Sequence, residues 1–136
     1  NRAWELIGVY YEAFVVREFL DLKSSFTAFA GGMPINRERR YFIKDGKVLC
    51  RHPYWPETAF NRHPARMAND DEWKQKLEEL NTGFPEILDD YAIKVSNAIE
   101  GYWSVDFAQA NNDVWYLLDM ALGYNSYHWP NCDKRI

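Results

Sequence analysis

GYWSVDFAQANNDVWYLLDMAL, residues 101–122, decides how this chain folds. Two runs rich in aromatic and aliphatic residues flank Asn111-Asn112-Asp113, and Asn and Asp are turn formers. The stretch therefore reads as a β-hairpin, with strands Tyr102 to Ala110 and Val114 to Leu122. A two-residue turn at Asn112-Asp113 sets Asp106 directly across from Asp119, with Cβ atoms about 4.5–5.5 Å apart. Trp103, Val105, Phe107, Val114, Tyr116, Leu118 and Met120 then share a core face. The other face carries Ser104, Asp106, Ala108 and Ala110 beside Trp115, Leu117, Asp119 and Ala121.

Like charges opposed across a ribbon destabilise it, so something must compensate the two acids. Three arrangements do so. The pair can supply hard oxygen ligands to Mg²⁺, which keeps waters and takes substrate phosphates as further ligands. It can share a proton as an acid/base dyad. Or each acid can pair separately with an Arg or Lys.

Working outward, Pro85 opens a helical run in which Leu88, Tyr91, Ala92, Val95, Ala98 and Ile99 form an apolar stripe closed by Gly101. Before it, Asn69 with Glu72 three residues on forms a capping-box pattern, and Trp73, Leu77 and Leu80 recur at helical spacing. Helices are thus expected over 70–99, broken at Thr82-Gly83. His52-Pro53-Tyr54-Trp55-Pro56 cannot continue a central strand, because two prolines lack donors. Arg39 to Ile43 and Val48 to His52 flank Asp45-Gly46, a strong hairpin signal. Further strands are expected over 14–22 and 24–30, the latter ending at Gly31-Gly32. Strands, two helices, then strands make an α+β fold, an antiparallel sheet with two helices, in a single domain over 1–136.

The composition fits. Hydrophobic residues are 47% and charged residues 26% of the 136, an ordinary globular balance, with 8 Phe, 9 Tyr and 6 Trp. No apolar run approaches the ~18 residues of a membrane span, so no membrane partner is expected. The net charge of −4 argues against general nucleic-acid binding. It is unevenly spread, with +3 over residues 1–56 and −7 over 57–136. A basic hairpin over 37–52 holds Arg37, Arg39, Arg40, Lys44, Lys47 and Arg51, suited either to phosphates or to a solvated face. Cys50 and Cys132 are too few for a disulfide framework and read as reduced thiols of an intracellular, cytoplasmic protein.

The closing hairpin also resembles a known family. Its V-D-F strand at Val105-Asp106-Phe107, followed 13 residues later by Asp119 on the partner strand, is similar to the closing strands of ATP-grasp enzymes. Phe14-Val-Val-Arg-Glu-Phe-Leu20 resembles that family's hinge strand, here expected over 14–22. Arg37-Glu38-Arg39-Arg40 lies where the family places phosphate-contacting cations. The stretch from Val15 to Trp129 looks most like the poorly characterised ATP-grasp proteins of bacteria and phages. It covers the second lobe and hinge of such an enzyme, so a preceding lobe is expected in the parent protein. The chain departs from the family pattern at Asp119, where Glu is usual, at Ala121, where Asn is usual, and at Ser104, where many members have Arg.

The resemblance implies an ATP- and Mg²⁺-dependent carboxylate–amine ligase acting through an acyl-phosphate. It implies that Asp106 and Asp119 hold Mg²⁺, and that Arg37, Arg39 or Arg40 grip phosphate or acyl-phosphate oxygens. Arg17, Glu18, Phe19 and Leu20 would meet the nucleotide. Ser126 and His128, in the loop after the second acid, would meet a small-molecule or peptide carboxylate substrate. Alternation along a strand puts Arg37 and Arg39 on one face and Arg40 on the other, so the three cannot serve one site. Ala121, Ser104 and the missing lobe also fit a degenerate module that binds nucleotide or a protein without catalysis.

Overall fold

The computed structural model describes residues 15–60 and 63–134. Phe14 of the expected hinge strand lies outside them.

The fold is α+β, as the strand–helix–strand order predicts. Strands β1 (Ser24–Ala28) and β2 (Met33–Asn36) form a small antiparallel hairpin. Strands β3 (Glu38–Lys44), β4 (Lys47–Pro53), β5 (Trp103–Gln109), β6 (Trp115–Leu122) and β7 (Asp133–Lys134) form an antiparallel sheet in the order β6-β5-β3-β4-β7. Helices α1 (Trp73–Asn81) and α2 (Glu86–Ala98) lie between β4 and β5 in the chain. Among the described residues no helix is long and apolar enough to cross a membrane.

The β3–β4 hairpin turns where Asp45-Gly46 predicts. Both residues have positive φ, 50° and 73°, as a two-residue turn matching strand twist requires. The Gly46 amide donates to Ser96 Oγ at 2.9 Å, and a Cβ on Gly46 would stand 2.6 Å from Asn97 Oδ1. A side chain at Gly46 would have to hold φ at 73° and displace the Asn97 carboxamide from the end of α2.

One sheet face packs on α2. Tyr41, Ile43, Leu88, Ala92, Val105 and Phe107 are buried together there, with Trp103, Trp115 and Met120 at the margin. Burial of this kind is worth about 25 cal/mol per Å² of apolar surface removed from water. Arg51 adds a polar tie from β4 to α2, its Nη1 donating to Asp89 Oδ1 at 2.6 Å over the Phe84 ring. A second core, of Phe26, Ala28, Ile35, Phe60, Leu77 and Leu80, joins β1 and β2 to α1.

Several expectations need correction. Residues 15–21 form no strand, and Phe19 is 91% exposed. A strand requires a paired neighbour, and among the described residues the backbone pairing of this segment is limited to the end of the β5–β6 hairpin, by a Leu22–Ala110 bridge and the Asn111 amide on the Asp21 carbonyl. Asn69 does not cap α1. Its side chain donates to Thr27 Oγ1 and its amide to the Thr27 carbonyl, because Ala68 bridges Ala28 and draws the segment onto the small hairpin. The N-cap residue is Glu72, which makes no side-chain cap bond, and Asp70 accepts the Glu72 amide at 2.8 Å in the turn leading into the helix. Cys50 and Cys132 are joined as a disulfide, their Cα atoms 6.0 Å apart, rather than standing as separate thiols.

The closing hairpin departs from the simple register twice. Its turn has three residues, Asn111, Asn112 and Asp113: the Ala110 amide donates to the Val114 carbonyl, and Asp113 has φ 64°. Phe107 therefore pairs with Leu117 and Gln109 with Trp115, which puts Trp115 and Leu117 on the helix face and Tyr116 on the other. A bulge at Leu118 then restores the offset, and beyond it Asp106 pairs with Asp119. The longer turn and the extra residue compensate each other at the acids.

Candidate functional site

The face of the sheet turned away from α2 collects the polar side chains. Glu38 and Arg40 alternate along β3, and Arg40 stands across from Asp106 of β5 and His52 of β4. Arg40 reaches Asp106 with both ends of its fork, Nε to Oδ1 and Nη2 to Oδ2, each at 2.8 Å. This is the strong bidentate geometry of guanidinium and carboxylate. The Tyr54 ring lies 4.7 Å from the Arg40 guanidinium carbon. Burial works against the Arg40 charge, but Asp106 outweighs it and raises the pKa above the ordinary arginine value.

Asp119 completes the opposed pair on the edge strand. It is exposed, and its Oδ1 accepts the amide of Met120 at 2.9 Å. Of the three arrangements open to the acids, Asp106 thus adopts the pairing with arginine, while Asp119 faces solvent. Each carboxylate oxygen has about two lone-pair directions, so Asp106 keeps acceptor capacity beyond the fork.

Two further groups arrive from the segment before β1 and the loop after β6. Arg17 Nη1 donates to the Leu118 carbonyl, at the bulge beside Asp119. Glu18 and Phe19 are exposed near it and Leu20 is half-buried. Ser126 is held by Ser104, Oγ to Oγ at 2.6 Å, and donates to the Leu122 carbonyl. His128 Nε2 lies 2.6 Å from Cys50 Sγ, and its ring packs 4.6 Å from Phe42.

The other two arginines are elsewhere. Arg39 is fully buried on the helix side and donates to the carbonyls of Glu38, Leu80, Thr82 and Gly83. Burial, with the nearby Arg37 charge, brings its pKa down to about 10. Three of those carbonyls belong to the end of α1 and the residues after it, where a helix leaves acceptors without intrahelical donors. Arg39 is therefore a structural cation closing α1, a correction to its expected part in holding phosphate. Arg37 shares that side, donating to Gln109 Oε1 and the Thr82 carbonyl, both at 3.0 Å. It too is committed to protein acceptors.

Sequence reasoning missed Glu38. The residue is 8% exposed, and its carboxyl accepts the Trp55 indole N–H at 3.3 Å and lies near Asp106. Burial pushes its pKa up to about 7 against the Trp55 hydrogen bond, and the Asp106 charge pushes it further. A carboxyl that titrates near neutrality inside a polar cluster is equipped for proton transfer. Its alternation with Arg40 on β3 was a usable signal, hidden by the excess of basic residues around it. Also missed was a cleft of about 310 Å³ bordered by Arg40, Tyr54, Trp55, Arg66 and Tyr127. Two cations and three aromatic rings suit an anion joined to a flat ring. A larger hollow of about 680 Å³, between Pro53, Lys74, Glu78 and Trp129, does not touch the acids.

Compared with known proteins, the chain matches no family model, no curated protein sequence and no solved structure.

Proposed function

We propose that this chain is the nucleotide- and metal-binding lobe of an ATP- and Mg²⁺-dependent carboxylate–amine ligase of the ATP-grasp type, working in the cytoplasm. The observation that carries the reading is the pairing of Asp106 with Asp119 across β5 and β6, on the face that bears Arg40. Arg17, the cation of the proposed hinge, supports it by reaching the residue beside Asp119.

In this reading Asp119 offers an open carboxylate to Mg²⁺, and Asp106 offers the lone pairs that Arg40 leaves. The ion, when bound, offsets charge on the phosphoryl group being transferred. Arg40 fixes the Asp106 carboxylate and, with Arg66, presents positive charge to the cleft where Tyr54 and Trp55 give ring faces. A substrate carboxylate oxygen attacks the terminal phosphorus of ATP, and the bond to ADP breaks. An amine then attacks the acyl carbon, phosphate leaves with the bonding pair, and the amine gives up a proton. Ser126 and His128, on the loop after β6, border the acceptor side.

Titrating a non-hydrolysable ATP analogue into the protein with and without Mg²⁺ tests the reading. Binding should require Mg²⁺ and weaken at least tenfold in Asp119→Asn. Binding unchanged by that substitution, or no nucleotide binding at all, overturns it.

A second reading has its own support. Arg40 occupies both oxygens of a carboxylate that is 5% exposed, an arrangement already complete without a metal. That favours a non-catalytic module binding nucleotide or a protein partner. Mg²⁺-independent nucleotide binding would select it.

A further inference from the structure

Outside the acid pair, one cluster in the described residues has the chemistry of a metal centre. Cys50 Sγ, Cys132 Sγ and His128 Nε2 or Nδ1 all lie within 4.8 Å of one another. Cys50 projects from β4, while His128 and Cys132 come from the loop between β6 and β7. Both sulfurs are buried and the histidine is exposed. His128 is pressed against Phe42 and held beside Cys50, so its orientation is set by packing. His52 stands two residues along β4 on the same face, its ring 5.9 Å from that of His128, with a buried Nε2 that makes no hydrogen bond among the described residues.

We propose that the reduced chain binds one Zn²⁺ ion through Cys50, Cys132 and His128, with a fourth position open to solvent, and that forming the Cys50–Cys132 disulfide abolishes the site. Two thiolates and an imidazole are ligands that zinc favours, at about 2.3 Å and 2.0–2.1 Å, and three protein ligands with one open position is a known zinc geometry. A tetrahedron of those bonds puts its ligand atoms roughly 3.5–4 Å apart, so the sulfurs must separate on reduction and Cys50 Sγ and His128 Nε2, 2.6 Å apart in the oxidised chain, must move apart by about 1 Å to admit the ion. His128, on the exposed side, leaves the approach for the ion and its water.

The two states interconvert by balanced chemistry. A cellular dithiol attacks the disulfide, the S–S bond breaks, and two electrons and two protons pass to Cys50 and Cys132 while the dithiol becomes a disulfide. Zinc then displaces the two thiol protons to solvent. Oxidation reverses both steps and releases the ion. In either state the link fastens the loop after β6 to β4.

Cobalt titration of the full chain, reduced and then freed of reductant, tests this. One equivalent should bind with thiolate-to-cobalt charge-transfer absorption, and zinc should displace it. The chain oxidised to its disulfide should show neither. His128→Ala, an exposed position whose loss leaves the cores intact, should weaken binding by more than the roughly 10–100-fold that outer partners of a metal are worth. Cys50→Ser and Cys132→Ser should abolish the charge-transfer band where circular dichroism shows them folded. No stoichiometric metal in the reduced chain, or equal binding by the oxidised chain, overturns the proposal, and the His128 and oxidised arms decide it even if the serine variants unfold. The proposal does not rest on the nucleotide reading, although both use His128, and the thiolate-to-cobalt band distinguishes this site from metal held by Asp106 and Asp119.

Discussion

Glu38→Gln should change how stability depends on pH, and the direction follows from its surroundings. The Glu38 carboxyl is pushed up from 4.5 to about 7 when the chain folds, chiefly by burial. Between those values the native state holds a proton that the unfolded state has lost. The resulting stabilisation is fully present below pH 4.5 and is lost as pH rises through about 7. One pH unit of a one-proton difference is worth about 1.4 kcal/mol, so the loss totals roughly 3 kcal/mol. His52 works in the opposite sense. Burial brings its pKa from 6.5 down to about 4, against the Pro53 carbonyl that favours its charged form. Its contribution is present above pH 6.5 and is lost as pH falls through about 4. Over pH 4.5–6.5 the two slopes oppose each other in the natural chain. Gln keeps an acceptor for the Trp55 indole but cannot ionise, so the variant exposes the histidine slope alone. Urea unfolding at half-unit intervals from pH 4.5 to 8 gives both curves, and their difference isolates position 38. Expected is near-equal stability at pH 4.5 and a variant about 3 kcal/mol more stable at pH 8. A difference that stays flat with pH would refute the reasoning, because Glu38 would then ionise as it does in the unfolded chain.

Other positions give separate checks. Asp89→Ala removes the ion pair of Arg51, which is 5% exposed and keeps its contacts with the Tyr41 hydroxyl and the Phe84 ring, and should cost about 1.5–3 kcal/mol in the same urea assay. Arg39→Met removes the donors that serve Leu80, Thr82 and Gly83, and should cost about 3 kcal/mol without changing any nucleotide affinity, read by denaturation and calorimetry together. Arg40→Met frees the Asp106 carboxylate in a buried setting, so it should destabilise the fold and also alter Mg²⁺-dependent nucleotide binding.

The pattern of alternation made most of the sheet legible. Asp-Gly fixed the β3–β4 turn because positive φ at two successive residues is a local demand that few dipeptides meet. The acid pair was legible as well, but through compensation: a turn one residue longer than assumed and a bulge at Leu118 return Asp106 to Asp119. Between turn and bulge the faces invert, which is why Trp115, not Tyr116, meets the α2 core. Bulges leave no sequence mark here, since Leu117 and Leu118 are the same residue type. The Val15–Asp21 run has strand composition without a strand partner among the described residues, and composition cannot supply one. Asn69 met a capping pattern, but the Ala28–Ala68 bridge, a contact distant in sequence, claimed it first. The Cys50–Cys132 contact spans 82 positions and lies equally beyond local reading.

Arg39 and Arg40 are identical neighbours with opposite fates, and the difference is instructive for the site. Arg39 donates to carbonyls and lies over the Phe84 and Trp115 rings, so its charge is balanced by dipoles and ring faces. Arg40 meets Asp106 directly, with Glu38 nearby and Asp119 across the ribbon, so acids outnumber the cation lodged among them. Glu38 relieves the excess by keeping a proton to about pH 7. Added positive charge at Asp106 and Asp119 would remove the need for it, because a nearby cation favours the carboxylate. Mg²⁺ binding at the proposed site should therefore expel a proton from Glu38. Mixing the protein with Mg²⁺ and an ATP analogue in weak buffer at pH 6.5, beyond the proton release of the nucleotide alone, should free a fraction of one proton per chain. Glu38→Gln should abolish that release while leaving Mg²⁺-dependent binding in place. Proton release identical in the two proteins would separate Glu38 from the acid pair and leave its raised pKa a matter of burial alone.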